Sequence, residues 1–197
     1  MRLGVIGPAN TDAAALEQAA KLLICELEAD TVIYLGEDRA LRAFIAAHES
    51  DDRDHTIEQQ VAEIAATGSP DEIEDVLRRL RGARYLDTLR VVPPPTARAT
   101  EMLDDRIILI VRNKSSISEE DVINSNVVIY GDAKELTFKR FGLRCFFSPG
   151  PLGLGRVGLL DDQSEVGNVV LKAMDLSGEV CWSEPIQGRG AKVMVAP

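Results

Sequence analysis

The chain has 197 residues, 45% hydrophobic and 27% charged, proportions of an ordinary globular protein that exclude wholesale disorder. Its 22 Lys+Arg against 32 Asp+Glu give a formal charge of −10. That balance argues against nucleic acid or an anionic membrane as the main partner, since both select clustered positive charge. A chain of this length buries about 70% of its extended surface and needs neither disulfides nor a metal to fold, so residues 1–197 read as one domain.

The opening MRLGVIGPAN has no basic segment followed by a long apolar one, so no secretory signal is expected. No apolar run approaches the ~20 residues that span a bilayer, and a cytoplasmic protein is the expectation. Leu3–Ile6 is a short apolar run ended by Gly7-Pro8, a buried strand. Asn10, Thr11 and Asp12 are cap candidates for an amphipathic helix over 12–28, with Leu16, Ala19, Ala20, Leu23, Ile24 and Leu27 at helical spacing. Thr31–Leu35 is the second strand, parallel to the first, with its end at Gly36. The loops Gly7–Asn10 and Gly36–Asp38 lie at carboxyl ends of strands, where α/β folds place ligands.

Arg39–His48 reads as a second helix, Glu49–Thr56 as a solvated linker and Ile57–Ala66 as a further helical stretch. Ser69-Pro70-Asp71-Glu72 starts a helix that should run to about Arg81 and stop at Gly82. Its tail carries Arg78, Arg79, Arg81 and Arg84, either dipole-matching cations on a solvated helix end or a partner-binding patch. A strand at Leu89–Val92 precedes Pro93-Pro94-Pro95, Ile107–Val111 is the most apolar strand, Ser118 opens a short helix, and Val127–Tyr130 is another buried strand. Leu136–Arg140, Leu143–Phe147, Val157–Leu160, Val169–Met174 and Lys192–Val195 read as antiparallel strands. Crossover units followed by a meander predict two sheets with helices outside.

Cys25, Cys145 and Cys181 are widely spaced among apolar residues and read as reduced, mostly buried thiols of a cytosolic protein. The only imidazoles, His48 and His55, lie in a polar stretch as exposed helix-end or loop residues. Gly153-Leu-Gly155-Arg-Val-Gly158 matches G-x-G-x-x-G as a string, yet a strand and not a helix follows it, so a dinucleotide is not expected.

The order MRLGVIGPAN, TVIYLGED, IILIVRN, VVIYGDAKE, CFFSPGPLG resembles the metallophosphoesterase (calcineurin-like phosphoesterase) superfamily, over residues 1–37 and about 104–162. It is closest to the small single-domain phosphodiesterase branch, which also holds the metal-free subunit of the retromer coat. Members read approximately MKIGVISDTH, VIHLGD, GNxD, a strand ending in HGH, VVIYGHTH and NPGS. The resemblance implies an α/β/β/α sandwich of two mixed sheets packed face to face, here with a helical insertion over about residues 49–103. It also implies a dinuclear metal site of His, Asp and Asn side chains, which activates a bridging hydroxide.

Carried over position by position, nearly all of that chemistry is missing. The first motif's Asp falls on Pro8 and its His on Asn10; the bridging Asp falls on Glu37, with Asp38 beside it. The HGH histidine falls near Val111 or Arg112, and the GHTH pair on Asp132 and Lys134. No counterpart of GNxD is found, and NPGS is kept as Ser148-Pro149-Gly150-Pro151. The resemblance thus implies a catalytically inactive relative, with no cofactor, that serves as a protein-interaction module or scaffold. In its vestigial cleft Asn10, Glu37, Arg112, Asp132 and Lys134 would either pair with one another or hold a small anionic ligand. Partner-binding candidates are Arg78, Arg79 and Arg81 on the helix end and Leu152 and Leu154 in the loop after Gly150, although these leucines suit packing under the loop equally well. Two other classes remain open: a residual phosphodiesterase using Asn10, Glu37, Asp38 and Asp132 with Mg²⁺ or Mn²⁺, and a metal-free anion or nucleotide sensor.

Overall fold

A computed structural model describes residues 1–49, 69–93, 97–163 and 168–186. Strand β1 (Arg2–Ile6) pairs in parallel with β2 (Thr31–Tyr34) and antiparallel with β9 (Arg156–Gln163). With β3 (Leu89–Val91), β10 (Asn168–Asp175) and β11 (Val180–Ile186) they form sheet A, in the order β11-β10-β9-β1-β2-β3. Sheet B has the order β4-β5-β6-β8-β7, from β4 (Arg98–Leu103), β5 (Arg106–Val111), β6 (Val127–Tyr130), β7 (Thr137–Phe141) and β8 (Arg144–Ser148).

Period-two side-chain alternation decides what each sheet buries. Leu3 and Val5 of β1, Ile108 and Ile110 of β5, and Cys145 and Phe147 of β8 meet between the sheets. Ile6 and Val157 face the other way, under α1 (Ala13–Ala20), α2 (Arg39–His48) and α3 (Pro70–Thr88). Leu109, Val111, Val128 and Tyr130 form a smaller outer cluster on sheet B, whose helix is α4 (Glu119–Asn124). Two mixed sheets with helices outside are therefore observed, as the sequence predicts.

Local chemistry explains most boundaries. Asp12 caps α1 through Ala15 N–H at 2.9 Å, and Asp38 caps α2 through Leu41 N–H at 3.1 Å. Ser118 and Asp121 form a reciprocal capping box on α4. The helix expected over 12–28 continues past α1 as a π-helical stretch, Lys21–Glu26. Gly82 does not stop α3, which runs on to Thr88. A Cβ at Gly82 would lie 3.4 Å from His48, so this glycine lets α3 pass close to the end of α2, and burial of Tyr85 and Leu89 draws the chain onward.

Strands β4 and β11 were not expected; the predicted helix Ile57–Ala66 and strand Lys192–Val195 lie outside the described residues. The free edges of the sandwich are linked by Arg90–Glu101 at 3.9 Å on one side and Arg140–Glu184 at 3.0 Å on the other. The cysteines are all free, but Cys181 is exposed, because β11 is an edge strand; Cys145 is buried, and burial pushes its thiol up. No helix among the described residues is long and apolar enough to cross a membrane.

Candidate functional site

The carboxyl ends of β1, β2, β5, β6 and β8 carry loops that touch one another directly. Gly7 meets the loop after β8 so closely that a Cβ there would lie 1.8 Å from Gly150 O. Leu152 N–H donates to Pro8 O at 2.9 Å, and Gly131 N–H donates to Arg112 O at 3.0 Å. Gly150 itself has φ 78°, a left-handed conformation suited to glycine, and a Cβ on it would meet the Glu135 backbone at 2.8 Å. The retained Ser-Pro-Gly-Pro turn is thus a packing element that joins sheet B to the β1 loop.

Asn10 is exposed and has φ 59°, a left-handed turn position that asparagine tolerates. Its N–H donates to Asp38 Oδ2 at 2.7 Å. The same carboxylate oxygen accepts from the Tyr34 hydroxyl at 2.6 Å, and that hydroxyl accepts from Ala9 N–H at 2.8 Å. With the α2 cap, both oxygens of Asp38 are committed. Burial, then the hydrogen bond to Asp38, pushes the Tyr34 hydroxyl well above the ordinary tyrosine range.

Glu37 forms an ion pair with Arg112, whose guanidinium also donates to Val92 O at 2.9 Å. Arg112 Nε is buried with no hydrogen-bond partner. Asp132 accepts from Lys114 N–H at 3.0 Å, and the Lys114 ammonium stands over the Tyr130 ring, 5.4 Å from its centroid. Lys134 is exposed and has no ion pair among the described residues. Of the predicted cleft residues, then, Asn10, Glu37 and Arg112 are linked through the β2–α2 loop, whereas Asp132 serves the backbone of the neighbouring loop. Sequence reasoning missed Tyr34, whose signal is a tyrosine at a strand end four residues before an Asp.

The two leucines separate: Leu154 is 51% exposed, whereas Leu152 is 1% exposed and joins the core under α1 and α2. Leu152 is therefore corrected to a packing residue, held down by its hydrogen bond to Pro8. Arg78, Arg79 and Arg81 fall on α3, with side chains outside the described set. His48 is corrected too. Its side chain is only 11% exposed, Nδ1 bonds Phe44 O at 2.8 Å, and the ring packs between Phe44 and Tyr85. It ends α2, about 15 Å along the helix from Asp38. In the G-x-G-x-x-G string, nothing lies within 4 Å of a Cβ on Gly153, and Gly158 packs against Phe147 from within β9.

A dinuclear metal centre, which the resemblance implies, does not fit these residues. Among the described residues no three His, Cys, Asp or Glu side chains converge as a metal-holding group. The cleft instead contains a fixed guanidinium. That guanidinium already holds Glu37, so the carboxylate at the bridging position is not free to ligate.

No family model matches the sequence, and no curated protein matches it. Solved structures do match in fold. Yfce, a phosphoesterase from E. coli, is 14% identical with a TM-score of 0.55, covering 95% of this chain and 100% of its own. A novel archaeal phosphodiesterase is 15% identical with a TM-score of 0.51, over 88% and 100%. Vps29 from Chaetomium thermophilum is 14% identical with a TM-score of 0.51, over 94% and 97%. The chain has the metallophosphoesterase fold.

Proposed function

We propose that this chain, built on the metallophosphoesterase fold, is catalytically inactive and acts as a cytoplasmic protein-interaction module or scaffold. One observation carries the reading: the carboxylates at the strand ends are already engaged by the protein itself, Glu37 by Arg112 and Asp38 by Tyr34, Asn10 and the α2 cap. The framework that positions a phosphoesterase site is intact while its donors serve loop packing. A rigid sandwich with a vestigial cleft retains its outer faces as surfaces for a partner. Three free cysteines support a reducing compartment.

The test is a thermal melt with EDTA and then with Mn²⁺, Zn²⁺ and Mg²⁺ in turn, alongside turnover of a generic phosphodiester. We expect no shift in midpoint and no turnover. A metal at about 100 times its dissociation constant adds about 2.7 kcal/mol, which moves the midpoint by several degrees. A saturable shift that Asp132→Ala removes, with metal-dependent turnover, would overturn the proposal.

A further inference from the structure

The two faces of the sandwich are unequally covered. Helices α1, α2 and α3 shield sheet A, but among the described residues the α-helix on sheet B is the six-residue α4 alone, about 9 Å long against a five-stranded sheet roughly 19 Å across. The outer cluster of sheet B is built on β5 and β6, with Phe146 of β8 at its margin. Beyond that margin the register pairs Phe141 with Arg144 and Lys139 with Phe146, which puts all four side chains on the outer face.

This half of the face is apolar and open. Phe141 is 61% exposed and meets Phe146 edge-on at 5.5 Å between ring centroids. Arg144 donates to Ile123 O at 3.1 Å, which brings the end of α4, with Ile123 61% exposed, against the same patch. Leu143, at the β7–β8 turn, is 59% exposed.

It is also the wrong charge for this protein. Neither Lys139 nor Arg144 has an ion pair among the described residues, in a chain whose formal charge is −10. Arg144 Nε is buried with no hydrogen-bond partner. A partner with carboxylates beside apolar residues would satisfy both charges.

We propose that the outer face of β7 and β8 docks an acidic amphipathic helix of a protein partner, completing the helical layer that α4 covers only in part. This rests on the interaction-module reading and names its surface. The experiment displays a library of 18-residue peptides with leucine fixed at helical a and d positions and every other position drawn from Glu or Lys. It is selected on the full chain.

We expect Glu-rich peptides to be enriched, Phe141→Asp and Ile123→Asp each to weaken them at least tenfold, and Lys139→Glu to shift selection towards Lys-rich peptides. These positions are exposed, and an unchanged melting midpoint verifies that each variant is folded. Enrichment without charge preference, no enrichment, or binding that only Leu154→Asp disrupts would overturn this surface and leave the module reading standing. Metal-dependent phosphodiester turnover by the same protein would overturn the module reading itself.

Discussion

The Arg112 guanidinium binds the Glu37 carboxylate across the gap between the end of β5 in sheet B and the end of β2 in sheet A. It also bonds Val92 O, just past the end of β3, so one side chain spans three strand ends. Glu37 is 60% exposed at its side chain and Arg112 only 20%, so the two partners are unequal. Glu37→Gln should cost less than about 1 kcal/mol, as exposed ion pairs do. Arg112→Ala should cost about 1–3 kcal/mol, because it also leaves the Val92 carbonyl without its donor. Urea denaturation of the two variants would check this; equal losses would place the whole effect in the ion pair.

Tyr34→Phe removes one oxygen that both donates to Asp38 and accepts from Ala9 N–H. We expect a loss of about 1–3 kcal/mol from the unpaired groups. Since the folded hydroxyl titrates above its ordinary value of 10.0, the stabilisation is fully present below pH 10 and declines as the pH rises beyond it. An absorbance titration should show one tyrosine of the folded protein ionising only when the chain unfolds.

Acid should act in part through Asp161 on β9, which accepts from Lys172 Nζ at 2.7 Å and Arg2 Nε at 3.3 Å. Burial favours its neutral form, but the hydrogen bonds and charges of Lys172 and then Arg2 outweigh that and hold the carboxyl below its ordinary 3.8. Its contribution is therefore present above pH 3.8 and is lost as the pH falls through the lower folded value. Asp161→Asn should be less stable at pH 7 and show a shallower fall in denaturation midpoint between pH 4 and pH 2.

Two glycines should respond in opposite ways to alanine. At Gly7 the new methyl would lie 1.8 Å from Gly150 O, and we expect a loss above about 4 kcal/mol or no folded protein. At Gly153, with nothing within 4 Å, the change should stay within about 0.5 kcal/mol. Expression and melting of the pair would check it.

What could be read in the sequence follows where local chemistry decides. Helix α2 and strand β6 fall where expected, because Asp38 caps the one and Gly131 ends the other. Strand β4 was missed because Arg98, Thr100 and Met102 face outward on an edge, leaving only Ala99 and Leu103 as apolar signals in the core. Strand β11 was missed for a similar reason: Ser183, Glu184 and Pro185 interrupt it, and its hold comes from Trp182 against Phe138 and from Arg106 donating to Ile186 O at 3.1 Å. At the cleft, the strand-end positions of Glu37 and Arg112 are legible from residue order. The commitment of Asp38 to Tyr34 is not, because it depends on how two loops fold back on each other.

The pairing of Arg2 with Asp161 and of Ile6 with Val157 sets a condition on how the chain can be made. On a ribosome β1 emerges before β2 and finds it within a few tens of residues, but its other side has no neighbour until β9 is synthesised. Until then a strand of wholly buried residues, Leu3, Val5 and Ile6, has an open edge. A product truncated before residue 156 would keep that edge permanently, so such fragments should be aggregation-prone even with α1, α2 and α3 in place.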